Sequence, residues 1–145
     1  MKCASIIALC LSIISCQGNK SPRTLTPGTD SCHYCQMTII DERFTTQLVT
    51  EKGKHFIFDD IHCMNAFVQE TDNSSLEIAA VYLSDFANPG QYIKPDSAFF
   101  LKGDNLRSPM GGNTGTFSNK NSMLETQAIL GGESVAFETL FYPSP

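Results

Sequence analysis

The run Phe44-Thr45-Thr46-Gln47-Leu48-Val49-Thr50, the turn Glu51-Lys52-Gly53-Lys54 and the run His55-Phe56-Ile57-Phe58 together predict a β-hairpin. Two segments rich in β-branched and aromatic residues flank a short polar turn that contains Gly. The chain then changes period. Asp59 and Asp60 are N-cap residue types, and Ile61, Met64, Phe67 and Val68 follow at helical spacing on one face. Leu76 to Leu83 reads as a third strand, so residues 31–88 predict a ββαβ unit.

The second half repeats the pattern. Ala87-Asn88-Pro89-Gly90 has turn chemistry and is the expected boundary. Gln91 to Lys94 and Ser97 to Lys102 read as strand, and a Gly- and Asn-rich stretch runs from Gly103 to Gly115. Phe117-Ser118-Asn119 opens a second helix that runs to Leu130 and is closed by Gly131-Gly132, and Ser134 to Phe137 forms a last strand. Phe58-Asp59-Asp60 leads to Met64 as Phe117-Ser118-Asn119 leads to Met123, six residues on in both. The expected fold is α+β, two small tandem ββαβ modules at 31–88 and 89–145.

Upstream lies a delivery signal. Residues 1–15 carry Lys2, then an apolar run from Ile6 to Ile14 and no acid, too short for a membrane span of about 20 residues, and so read as a signal peptide. Ile13-Ile14-Ser15-Cys16 places an aliphatic pair and a small residue before a Cys, as in the lipobox of bacterial lipoproteins, with Cys16 the lipidated residue. Residues 16–30 are nearly devoid of apolar side chains and read as a flexible tether, with a reach on the order of 40 to 50 Å when extended. Loss of Lys2 with the signal moves the formal balance from −5 to −6, which excludes nucleic-acid binding by charge.

The chemistry gathers at Cys32-His33-Tyr34-Cys35-Gln36-Met37, two thiols, an imidazole and a thioether in one short stretch. Soft donors of this kind select Cu(I) over harder ions. Cys3 and Cys10 leave with the signal, so Cys32, Cys35 and Cys63 remain, an odd number that cannot all pair within one chain. Met37 lies two residues beyond Cys35, where a strand would point both to one face, and Met110 lies in the aperiodic loop Ser108-Pro109-Met110-Gly111-Gly112, so both are ligand candidates. Met64 and Met123 fall at helical spacing and read as packing, with Met64, next to Cys63, a weaker ligand candidate. His33 and His62 could each complete a coordination shell, whereas His55 reads as structural.

Competing chemistries are weaker. No nucleophile elbow, phosphate loop or dinucleotide turn is present, so the chain reads as no enzyme. A thiol-disulfide oxidoreductase would want a helix after Cys32-x-x-Cys35, and Thr38-Ile39-Ile40 reads instead as strand. A structural zinc site from Cys32, Cys35, Cys63 and a His is the stronger alternative.

These residues resemble the NosL lipoproteins, accessory copper chaperones of bacterial nitrous oxide reductase. The likeness rests on the lipobox Cys16, Cys32-His33-Tyr34-Cys35-Gln36-Met37, Phe58-Asp59-Asp60-Ile61-His62-Cys63-Met64, Val81-Tyr82-Leu83-Ser84-Asp85, Ser108-Pro109-Met110-Gly111 and Gly131-Gly132-Glu133-Ser134-Val135. It implies an outer-membrane-anchored, periplasm-facing protein that binds Cu(I) and hands it to the copper-centre assembly machinery of the reductase. The family's Cys-x-Met falls on Cys35 and Met37, and its loop Met on Met110. Tyr92 stands where many relatives carry Trp, and Cys32 and Cys63 offer a route to a different metal site. Whether two copies share one ion as a homodimer is open at this stage.

Overall fold

A computed structural model describes residues 18–71 and 76–141; the signal peptide and Cys16 lie outside the described residues. The expected hairpin forms β1 (Thr46–Thr50) and β2 (His55–Phe58), antiparallel with Thr46 opposite Phe58 and Val49 opposite His55. Every residue of β1 is buried, as suits a strand enclosed on both faces. Even Gln47 is inaccessible, because its amide is used by another segment, described below.

Helix α1 (Ile61–Glu70) follows. Asp60 has extended backbone and its side chain accepts from the His62 and Cys63 N–H groups, which would otherwise lack partners in the first turn. Ile61, Cys63 and Met64 are its buried residues, and they pack with Leu48, Ile57 and Phe58 in the larger core cluster.

Strand β3 (Ile78–Asp85) joins the two halves of the sheet. It runs antiparallel to β1 and to β4 (Asn88–Ile93), and parallel to β6 (Thr114–Phe117) through Asp85 and Thr116. Beyond β6 lie β5 (Phe99–Lys102) and β7 (Glu133–Val135), giving the order β2-β1-β3-β6-β5-β7, with β4 paired to β3 off this path as the seventh strand of one sheet. Helix α2 (Lys120–Leu130) is capped by Asn119 and ends at Gly131, whose φ of 72° is the left-handed conformation that suits Gly. Helix α3 (Phe137–Phe141) completes the described chain. The architecture is mixed α+β, as expected, with all strands of both halves in a single sheet.

Several local expectations need correction. The turn expected at Ala87 to Gly90 sits at Phe86–Ala87, and β4 begins at Asn88. The reason is Asp85, whose carboxylate accepts from Ala87 N–H at 3.1 Å and Asn88 Nδ2 at 3.0 Å and so closes the hairpin early. The Gly- and Asn-rich stretch hides β6, where Gly115 lies against the rings of Phe86 and Phe117. Phe117 ends that strand, so the helix starts later than the sequence suggests. Thr38-Ile39-Ile40 contributes only the isolated Ser31–Thr38 bridge, because the preceding residues curl into a turn. The last strand expected over Ser134 to Phe137 gives way to the short β7 and α3.

The echo between the halves has a physical basis. Both β2 and β6 end in Phe, both are followed two residues later by the N-cap of a helix, and both helices bury a Met. Met64 is 0% exposed and Met123 is 2% exposed. They occupy different clusters, Met64 beside the cysteines and Met123 with Phe44, Leu101 and Phe117.

The segment expected as a free tether is docked from residue 18 onward. Arg23 N–H donates to Gln47 Oε1 at 3.0 Å, and Gln47 Nε2 donates to Arg23 C=O at 2.8 Å. Leu25 is buried in the core, Tyr82 donates its hydroxyl to Lys20 C=O, and Lys20 pairs with Glu51. Gly18 packs on Gly53 so closely that a Cβ there would meet Gly53 Cα at 2.9 Å. Low apolar content concealed this attachment because most of it is made by backbone groups, which composition does not register.

Candidate metal centre

The site begins with a turn. Gln36 N–H donates to Cys32 C=O at 3.0 Å and Cys32 N–H to Met37 C=O at 2.9 Å, so the motif closes on itself. Gln36 takes a left-handed φ of 62°, and its side-chain amide donates to His33 C=O. This curl carries Cys32 inward and leaves Met37 outside, 57% exposed. The single strand face expected to carry both Cys35 and Met37 does not form.

The turn is fixed to the hairpin through His33. Its N–H donates to Ile57 C=O at 2.8 Å, while Ile57 N–H donates to His33 Nδ1 at 3.0 Å. Nδ1 is thereby occupied as an acceptor, and the ring sits edge-on to Phe56 and Phe58. His33 is a structural clamp on the turn.

Opposite the turn stands the first turn of α1, which supplies Cys63. The sulfurs of Cys32, Cys35 and Cys63 all lie within 4.8 Å of one another. All three are unpaired thiols; Cys32 and Cys63 are fully buried and Cys35 is half-buried. The cluster therefore opens to solvent on the Cys35 side. No histidine or carboxylate joins this group among the described residues.

Burial sets the electrostatics. It pushes the Cys63 thiol far above its ordinary range, helped by the neighbouring Cys32, by Cys35 and by the Asp60 carboxylate. Cys63 sits at a helix N-terminus, which would favour a thiolate, and desolvation outweighs that influence. Cys35 is also raised, chiefly by burial, although the Met37 backbone N–H pulls the other way. Reactive redox thiols are lowered rather than raised, and Cys35 leads into an isolated bridge rather than a helix. Three soft sulfur donors within reach of one cation form a metal-binding arrangement.

The methionines divide by position. Met64 is buried in the core cluster that contains Cys32 and Cys63, and Met110 packs half-buried against that cluster. His62 is exposed and lines a small cleft with Gly111, Gly112 and Asn65, outside the thiol group.

One residue does more than its sequence context suggests. Asp60 Oδ1 caps α1, while its Oδ2 accepts from Ser108 Oγ at 2.6 Å, Gly112 N–H at 3.0 Å and Met110 N–H at 3.2 Å. The loop bearing Met110 thus hangs on the residue that positions Cys63. A Cβ on Gly112 would come within 3.0 Å of that oxygen. The Gly pair after Met110 was the only sequence sign of so close an approach. Its neighbour Asp59 is no second cap: it is buried with Oδ1 unpartnered among the described residues.

A family model described as NosL matches residues 22–141. The fold is similar to the crystal structure of the copper chaperone NosL from Shewanella denitrificans, with a TM-score of 0.67 and 22% identity, covering 83% of this chain and 95% of that one. At that identity the likeness is one of fold. No curated protein sequence matches the chain.

Proposed function

Since the chain belongs to the NosL family, we propose that it is a lipid-anchored carrier of Cu(I). The observation that carries this reading is the trio of thiol sulfurs within 4.8 Å, contributed by two segments and open on one side. Cu(I) accepts two or three soft ligands, whereas structural Zn²⁺ is held in a closed tetrahedral shell of four. A zinc reading needs a histidine beside the thiols, and the His33 nitrogen nearest the backbone is engaged by Ile57. The solved relative, itself described as a copper chaperone, fits the same reading.

Holding and release follow from the surroundings. Cys32 and Cys63 form the closed floor, Cys35 stands at the opening, and Met37 supplies an exposed thioether beyond it. Met110, on the loop tied to Asp60, is the second thioether we assign to the site. A recipient's soft ligand enters from the open side and displaces the weaker thioethers first, so the ion passes by stepwise exchange and is never set free.

The setting of this activity extends the proposal. Cys16 carries the lipid, the domain faces the periplasm from the outer membrane, and the recipient is the machinery that builds the copper centre of nitrous oxide reductase. The decisive experiment is metal analysis and thiol counting on anaerobically purified mature protein, with Cu(I)-chelator competition. Tight Cu(I) binding with weak Zn²⁺ retention is the expected result. Stoichiometric zinc that resists removal, beside weak Cu(I) binding, would replace this reading with a zinc-stapled module.

A further inference from the structure

We infer that the hydrogen bond from Tyr34 to Glu70 is a latch on the thiol site: closed, it holds Cys35 beside Cys32 and Cys63, and its opening makes Cys35 the first of the three thiolates to leave the ion. This role rests on the trio being a Cu(I) carrier and names the positioning residues of that site.

The bond joins the two segments that supply the sulfurs. Tyr34 lies between Cys32 and Cys35 on the turn, and its hydroxyl donates to Glu70 Oε1 at 2.7 Å, across thirty-six residues. Glu70 is the last residue of α1, and Cys63 stands in the first turn of the same helix. Seven residues fall about 20° short of two full turns, so Cys63 and Glu70 share one face of α1, about 10 Å apart along its axis. Tyr34 reaches along that face from the thiols to the end of the helix. Apart from contacts among the thiols themselves, no other hydrogen bond links residues 32–37 with α1 among the described residues.

The base of the turn is secured elsewhere. His33 is clamped to Ile57 of β2, and Cys32 N–H is bonded to Met37 C=O. The tip, Tyr34 and Cys35, depends on Glu70. Both residues are only partly buried against the core cluster, and Cys35 is the half-buried member of a trio whose other two thiols are fully enclosed. Beside Cys35, Gln36 holds a left-handed φ of 62°, which a residue with a side chain adopts reluctantly. Once the tip is freed, relaxation of the turn carries Cys35 away from the trio and leaves Cys32 and Cys63 in place.

A latch must also open readily. Glu70 is exposed, and a hydrogen bond within reach of water contributes little to the fold as a whole. Its effect is therefore local to the turn. With the tip open, the bond from copper to the Cys35 sulfur breaks as one forms to a thiolate or thioether of the recipient, and the metal remains Cu(I) throughout.

The test is the rate at which anaerobic, Cu(I)-loaded mature protein yields its ion to excess bathocuproine disulfonate in stopped flow. Tyr34→Phe keeps the ring and removes the hydroxyl, and should release Cu(I) about fivefold faster or more. Glu70→Ala should match it, and the double variant should be no faster than either single one, as for one shared interaction. Glu70→Gln keeps an acceptor oxygen and should restore most of the slow release. Tyr82→Phe removes a hydroxyl whose 2.9 Å bond to Lys20 C=O lies outside the thiol turn, and should leave the rate unchanged. Release at the wild-type rate from Tyr34→Phe, or equal acceleration in Tyr34→Phe and Tyr82→Phe, overturns the latch and leaves the carrier standing. Wild-type protein that retains no Cu(I) overturns the carrier, and the latch with it.

Discussion

Asp60 and Met110, fifty residues apart, share one carboxylate contact: Met110 N–H donates to Asp60 Oδ2 at 3.2 Å while Oδ1 of the same group receives Cys63 N–H at 3.1 Å. A thiol on a helix and a thioether on a loop are thereby placed by a single side chain. Asp60→Asn retains one acceptor oxygen and turns an NH₂ group toward the donors from Ser108, Met110 and Gly112. Leaving buried donors without acceptors costs about 1–3 kcal/mol each, so we expect a loss of about 3 kcal/mol in urea unfolding. Cu(I) affinity of the folded fraction should fall as well. A variant within about 1 kcal/mol of wild type would show that the loop does not depend on this residue.

The ligand set is separable from packing by substitutions that keep volume. Cys35→Ser replaces a thiolate donor by a hydroxyl and should weaken Cu(I) binding by about a hundredfold or more. Cys32→Ser and Cys63→Ser should do the same with some added loss of stability, since both positions are fully buried. Met37→Leu and Met110→Leu should weaken Cu(I) binding at a cost to the fold under about 1.5 kcal/mol. Met64→Leu and Met123→Leu should leave affinity unchanged. Chelator competition under anaerobic conditions measures all seven, and equal losses in Met64→Leu and Met110→Leu would bring the buried methionine into the site.

Asp59 gives the protein a pH-dependent stability. Burial, then the charges of Asp60 and Asp41, push its carboxyl up to about 6. The folded state therefore holds this proton more tightly than the unfolded chain. Its contribution is complete below the unfolded carboxylate value of about 4 and is lost as pH rises through about 6. Over that window stability should fall by on the order of 2 kcal/mol. Asp59→Asn should flatten the profile in urea melts across the same window. Parallel profiles for variant and wild type would assign the dependence to other groups.

Docking of the N-terminal segment depends on Gln47. Gln47→Leu keeps the bulk at a fully buried position but removes both hydrogen bonds to the Arg23 backbone. Amide exchange around Thr24 to Thr26 should accelerate by about tenfold or more, with about 2 kcal/mol lost from global stability. Unchanged exchange in that segment would mean that Leu25 and Lys20 suffice to hold it.

What the sequence conveys well here is local and periodic. The β-branched and aromatic runs around Leu48 and Ile57 and the helical spacing of Ile61, Met64 and Phe67 locate β1, β2 and α1 to within about two residues, the usual error of such boundaries. β6 was invisible because Thr114-Gly115-Thr116-Phe117 has too few apolar side chains to alternate, and its burial comes from β3 and β5, contributed by distant sequence. The site divides the same way. Cys32 and Cys35 announce themselves by spacing, but the arrival of Cys63 beside them depends on the clamp between His33 and Ile57, a contact across twenty-four residues that spacing does not encode. The curl at Gln36 likewise reversed the expected relation between Cys35 and Met37, since a left-handed residue other than Gly leaves little trace in composition.

The three thiols belong to parts of the chain thirty-one positions apart, Cys32 on the N-terminal turn and Cys63 on α1. An ion held between them is a reversible crosslink: it closes a loop, removes chain entropy from the unfolded ensemble and stabilises the folded form by mass action. Proteolysis between these positions should then be slower in the loaded protein than in the empty one. Emptying the site would remove that contribution and leave the stretch between Cys32 and Cys63 easier to open.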